Sequence, residues 1–288
     1  QLQVSNLGTS VVHNVQLLET LPTSFTISPA DNNGWLTGYR YVQLQADSEV
    51  GASSGTTTVG ELGLLGANGV PITKTGWLAT ANSQETVNEN TPASNAIDGN
   101  NTTFWGSKWG GGTTPFPHTL TIDTGTPRTL TGFVYVPRQN SANGRIGNYK
   151  FLVSTDGISW TQVVTGTFIN SSATVTVTFS APPSGRAFAT LAGPIAPGAS
   201  ATINITLRAN AASAQGTYTN TAKTLAALDG SNSLIADANA GNDTGSAVVQ
   251  LSNATPTPTS TTAATSTNTP TATNTPVPPT ATATNTAP

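Results

Sequence analysis

Residues 202–207 read T-I-N-I-T-L, and Val175, Val177 and Phe179 fall on every second position. A period of two is the signature of a strand with one face buried, and no stretch of the chain replaces it with the three-to-four spacing of an amphipathic helix. Gly125, Pro127, Pro182, Pro183, Pro194, Pro197 and Gly198 stand between the alternating runs, at the spacing of turns in a sandwich. The chain is therefore expected to be all-β.

The 288 residues leave room for about two domains with real cores. Charged residues make up only 8% and the net charge is -3, so no basic patch exists for a phosphate backbone, which argues against nucleic acid as a partner. The absence of cysteine excludes disulfides, thiolate metal sites and thiol redox chemistry. No run of 18 or more apolar residues is present to span a membrane. Abundant Thr, Ser, Asn, Gly and Val suit a bacterial extracellular or cell-surface β-protein. The start at Gln1 on a strand-like pattern, with no Met and no leader, reads as a fragment of a longer secreted chain. Residues 254–288 are Thr, Pro, Ala, Asn and Ser with one Val, a composition that buries too little to fold and is expected to form a disordered linker to other modules.

Catalysis has little to stand on. The chain has two histidines, and Glu85, Glu89, Asp123 and Asp156 lie in separate contexts, so no nucleophile, base and orienting group come together; we expect no enzyme. The segment A-S-N-A-I-D-G-N-N-T-T-F-W (93–105) instead sets one carboxylate in a turn crowded with carbonyl and hydroxyl oxygens. Calcium takes six to eight such oxygens. Alone, Asp98-Gly99 is equally a plain turn with Asn95 as its cap.

With P-H-T-L-T-I-D, G-F-V-Y-V-P-R-Q and Y-K-F-L-V-S-T-D-G-I-S-W following it, that segment resembles the discoidin fold, also called the coagulation-factor C-type domain. The resemblance implies a jelly-roll β-sandwich that binds carbohydrate without catalysis, with a structural calcium. The ligands it implies for Ca2+ are Asp98, Asn95, Asn100, Thr103, and Glu61 with the carbonyl of Gly60. For sugar, the galactose-type pattern H-x-x-W, then Arg, then Asn, maps onto 106–109, Arg138, and Asn143 or Asn140. Here Gly106 stands in place of the histidine, Lys108 and Trp109 are candidates beside it, and Arg145 is a weaker one.

Y-R-Y-V-Q-L-Q-A-D-S-E-V (39–50) and V-G-E-L-G-L-L (59–65) resemble the closing strands of the family yet precede its body. A circular permutation explains this, as does a remnant of an earlier copy; an open sheet edge argues against the latter. L-Q-V-S-N-L-G-T-S-V-V-H-N-V-Q-L-L-E-T-L-P (2–22) and I-A-P-G-A-S-A-T-I-N-I-T-L (195–207) resemble two parts of a bacterial surface immunoglobulin-like repeat. The expected organisation is 1–34 and 189–253 as one sandwich, 35–188 as a discoidin-like domain inserted in it (35–70 the closing strands, 71–188 the body), and 254–288 as linker. A glycan or polysaccharide is the expected partner; the alternative is a structural or adhesive spacer binding protein or lipid headgroups, with Phe116 as its lipid-facing candidate. Trp105 is expected in the core, Trp160 beneath a hairpin, and His13 and His118 in structural roles. Arg138 has an alternative partner in Asp123.

Overall fold

The computed structural model describes residues 1–22, 25–27, 34–209, 214–236 and 239–252. The expected linker, 254–288, lies outside them. Among the described residues the regular structure is strand, with short 3-10 turns and no longer helix.

Two hydrophobic cores organise these strands. Around the first lies a five-stranded sheet in the order Thr161–Thr167, Asn148–Ser154, Tyr39–Ala46, His118–Arg128, Leu78–Ala81. Facing it is a three-stranded sheet, Val175–Thr178, Gly132–Val136, Glu61–Leu65. The early strand Tyr39–Ala46 is thus central: Leu44 is paired with Leu120 on one side and Phe151 on the other. Its alternation explains the placement, because Val42, Leu44 and Ala46 point into the core while Gln43 reaches Thr121 across the other face; Tyr39, at the strand's start, is also buried. Glu61–Leu65 likewise pairs with Gly132–Val136, setting Leu64 opposite Phe133. Each such buried side chain contributes about 1.5–3 kcal/mol by leaving water. A sandwich without these two early strands would lack the middle of one sheet and a side of the other, which is the arrangement the permuted reading requires.

The second core joins chain segments from both ends. Its five-stranded sheet runs Thr244–Leu251, Gly216–Leu228, His13–Thr20, Arg186–Leu191, Leu36–Thr37. The pairs Leu2–Ser5 with Ser200–Ile203 and Phe25–Ile27 with Leu207–Ala209 complete it. Val15, Leu17, Trp35, Ala187 and Ala189 fill its interior.

The points where the chain passes between the cores differ from the expected boundaries. Trp35 and Leu36–Thr37 belong with the second core, and G-R-A-F (185–188), expected to close the discoidin-like part, opens a strand of the second sheet, with Phe188 paired to Leu36. The crossings lie at Gly38 and at 179–184, side by side: the Gly38 N–H donates to Ser184 Oγ at 3.3 Å and the Tyr39 hydroxyl to the Pro182 carbonyl at 2.9 Å. Glycine is required at 38, where φ is +121° and a Cβ would stand 2.1 Å from the Arg128 carbonyl oxygen.

Candidate ligand-binding site

Glu85 is fully buried just beyond the strand Leu78–Ala81. One carboxylate oxygen accepts the N–H groups of Val87 (2.8 Å) and Asn88 (2.9 Å), the other those of Trp109 (3.0 Å) and Gly110 (2.5 Å). Four donors aimed at one anion hold its pKa down to about 2. Two loops are thereby fastened to a single side chain.

The loop that carries Trp109 folds back over Gly106. A Cβ at Gly106 would meet Trp109 Cζ3 at 2.6 Å and Thr91 Oγ1 at 3.0 Å, so the indole occupies the space where a side chain at 106 would lie. Glycine there is a condition for the position of Trp109, not merely the loss of a histidine. Nearby, the Arg138 guanidinium lies 3.9 Å from the centroid of the Phe104 ring, and its Nε donates to Asn140 Oδ1 at 2.7 Å. Burial lowers the Arg138 pKa and the charge of Glu89 raises it again.

Trp109, Arg138, Asn143 and Glu89 line one cavity of about 330 Å³ with Ser54, Thr56 and Thr58. One aromatic ring, a cation, a carboxylate, an amide and hydroxyls in a shallow depression can cover an apolar ring face and hydrogen-bond a set of hydroxyl groups.

Among the candidates from sequence, Trp109, Arg138 and Asn143 come together here. Asn140 stands behind Arg138 as its acceptor. Arg145 is turned to structural work: its Nε and Nη2 donate to the Arg138 carbonyl at 3.4 and 3.2 Å, and its Nη1 to Asn170 Oδ1 at 3.0 Å. Lys108 is exposed and lies outside the cavity lining. Sequence reasoning missed Glu85, Glu89 and the Ser54–Thr58 hydroxyls; the two glutamates bracketing the exposed turn E-T-V-N-E (85–89) were the one available signal.

Several residues have purely structural roles. Trp105 is 0% exposed and its Nε1 donates to the Ser83 carbonyl at 3.0 Å. His118 is buried between Thr57 Oγ1 (2.8 Å) and Thr114 Oγ1 (3.0 Å), and burial lowers its pKa. Asp123 is held by Arg40 at 2.7 and 2.8 Å and does not engage Arg138. Phe116 packs against the first core and lies 4.6 Å from the His118 ring, which removes it as a lipid-facing spike.

Of the residues expected to hold calcium, Glu61, Asp98, Asn100 and Thr103 are linked by hydrogen bonds around the loop 98–103. Glu61, buried at the start of its strand, accepts the N–H groups of Gly99 (2.6 Å) and Asn100 (2.9 Å) on Oε1. Asp98 accepts the Asn100 N–H on Oδ1 (2.8 Å) and the Thr103 hydroxyl on Oδ2 (2.7 Å), and the Asn100 side-chain oxygen accepts from Thr102. The Asn95 amide donates to the carbonyls of Phe104 (3.1 Å) and Asn90 (3.5 Å), and Gly60 is held by its N–H to the Val136 carbonyl. The remaining Glu61 oxygen pairs with the Lys74 ammonium. Every carboxylate oxygen of the set already faces a donor, and a cation already sits among them, so the residues as arranged do not fit a calcium ion. Among the described residues no group of three or more His, Cys, Asp or Glu is placed to hold a metal.

Residues 79–190 match the family model for the F5/8 type C domain. The chain carries an F5/8 type C domain. The matched span begins after Trp77 and so leaves out Tyr39–Ala46 and Glu61–Leu65, although both strands pair inside the F5/8 type C sheets. A sialidase of Micromonospora viridifaciens is 40% identical over 96 residues, 33% of this chain and 15% of that protein. A galactose oxidase of Gibberella zeae is 37% identical over 109 residues, 37% of this chain and 16% of its own length. An A type blood N-acetyl-alpha-D-galactosamine deacetylase of Flavonifractor plautii is 36% identical over 87 residues, 30% of this chain and 11% of its own. The chain therefore spans only a small part of each of these relatives.

Proposed function

We propose that the F5/8 type C domain is a non-catalytic carbohydrate-binding module that takes a glycan in the cavity lined by Trp109, Arg138, Glu89 and Asn143. The carrying observation is the position of Trp109: its ring lies on the Gly106 backbone and its own N–H is fastened to buried Glu85, so an aromatic surface stands beside a ring of polar groups. A sugar-binding depression needs that combination. The relatives named for sugar chemistry support the same ligand class. Glycoside hydrolysis by the usual route needs two carboxyl groups flanking the bond. Glu89 is the one carboxylate among the described lining residues, and Glu85 is committed to four N–H groups. We read residues 38–184 as this module, an extracellular or cell-surface location for the protein, and the Thr/Pro segment 254–288 as the spacer that lets weak single sites act together. Among the described residues no helix is long and apolar enough to cross a membrane.

The test is a glycan array followed by calorimetric titration with the best ligand, using wild type, Trp109→Ala and Arg138→Ala. Each variant is expected to lose at least about tenfold in affinity, equivalent to about 1.4 kcal/mol, with the melting temperature little changed. An array on which wild type retains no glycan, or a Trp109→Ala variant that binds as wild type does, rules the reading out.

A further inference from the structure

The cradle under loop 98–103 contains a cation of the chain itself, the Lys74 ammonium paired with Glu61. Residues 66–70 make a tight turn, with Asn68 at φ 58° and the Gly66 N–H donating to the Val70 carbonyl at 2.8 Å. The returning segment then runs beside the strand Glu61–Leu65, the Ile72 N–H donating to the Leu64 carbonyl at 2.9 Å. That return carries Lys74 back to Glu61, 13 positions earlier, where the ammonium pairs with Oε2 and feels the charge of Asp98.

We propose that the Lys74 ammonium stands where a divalent cation would otherwise lie between Glu61 and Asp98, so that loop 98–103 is held by the chain's own cation and the domain is independent of calcium. Two observations converge on this. First, each carboxylate oxygen already has a donor of the chain's own: Glu61 Oε1 takes two backbone N–H groups, Oε2 takes the ammonium, and each Asp98 oxygen is bonded within the loop. Second, the charges match a compact cation: Glu61 is buried and needs a counter-charge, and a lysine ammonium is a point charge with three donors that suits several oxygens at once. A buried carboxylate stripped of its partner is the costly state. The ring of donors and acceptors here avoids that state without a metal.

The experiment is thermal unfolding of the full chain in chelator and in excess calcium, for wild type, Lys74→Met, Glu61→Gln and the double variant. Wild type is expected to unfold at the same temperature in both conditions. Lys74→Met should lower the midpoint by about 5–10 °C through the unpaired Glu61, and should lower it far less in the Glu61→Gln background, where no charge is left to strand. The double variant keeps the test decisive even where the single one unfolds. A calcium-dependent rise of several degrees in wild type that disappears in Glu61→Gln overturns the proposal. So does a Lys74→Met effect that is the same with and without Glu61. A calcium rise that persists in Glu61→Gln belongs to another place on the chain, and the Lys74–Glu61 coupling then decides.

Discussion

Two buried glutamates each hold a loop of the F5/8 type C domain, and they do it differently. Glu85 accepts four backbone N–H groups and, among the described residues, forms no ion pair; Glu61 accepts two and pairs with the Lys74 ammonium. An anion that receives four aligned dipoles is stabilised without a counter-ion, and because the two loops it gathers, 87–88 and 109–110, are held by their backbones, the Trp109 side chain is left to line the cavity. Fewer dipoles leave a deficit that a positive charge must fill, and the loop so fastened, 98–103, turns its polar groups inward on itself. The first arrangement suits a binding face and the second a closed structural corner.

The comparison is broken most severely at Glu85. Replacing it with Gln keeps the shape but turns one acceptor oxygen into a donor that faces two N–H groups. Glu85→Gln is expected to give the largest fall in melting temperature of any single change considered and to abolish glycan binding with it, since Trp109 loses its anchor. Circular dichroism melts and titration together check this; a variant that melts as wild type does shows that the four bonds matter little. The pH dependence carries the same argument. Because the folded-state pKa is held at about 2, below the unfolded carboxylate value of about 4.3, Glu85 contributes stability that is fully present above pH 5 and is lost as pH falls from about 4 toward 2. In Glu85→Gln that part of the acid-side loss should vanish from the melting profile.

A sharper probe lies at Gly106. Its missing side chain is read from sequence as the loss of a histidine; in the structure it is the seat of Trp109. Gly106→Ala puts a methyl group 2.6 Å from the indole and should push the ring aside, lowering glycan affinity by about fivefold to tenfold while the fold survives. Gly106→His should weaken binding at least as much. A histidine variant that binds more tightly than wild type refutes the account of why glycine is there.

How much of this was legible beforehand follows from where each signal lives. The likeness of Tyr39–Ala46 and Glu61–Leu65 to closing strands announced partners far along the chain, which the pairing of Leu44 with Leu120 and of Leu64 with Phe133 displays. Glu61 was expected beside Asp98, and its carboxylate does reach the loop at Gly99 and Asn100. Lys74 was invisible because a lysine thirteen positions away acquires meaning only once the 66–70 turn brings it back. Glu85 was hidden for a related reason: its partners are backbone N–H groups, which every residue has. The crossing points escaped because Trp35 and Phe188 read as strand residues wherever they are placed; only packing with Ala187 and Val15 assigns Trp35 to the second core, and only the pairing with Leu36 assigns Phe188 to its sheet.

The smallest effect marks the edge of the site. Lys108 sits beside Trp109 in sequence, and its N–H is held by Ser83 Oγ at 3.0 Å, but its side chain is exposed and outside the cavity lining. A solvated side chain without a partner is worth within about 0.5 kcal/mol either way. Lys108→Ala is therefore expected to leave both the melting temperature and the glycan affinity within about twofold of wild type. A larger loss of affinity on titration, with stability unchanged, moves the ligand out of the Trp109–Arg138 cavity toward the loop tip. It would also mean that Glu85 fastens the loop in order to present the lysine, with the tryptophan serving as its support.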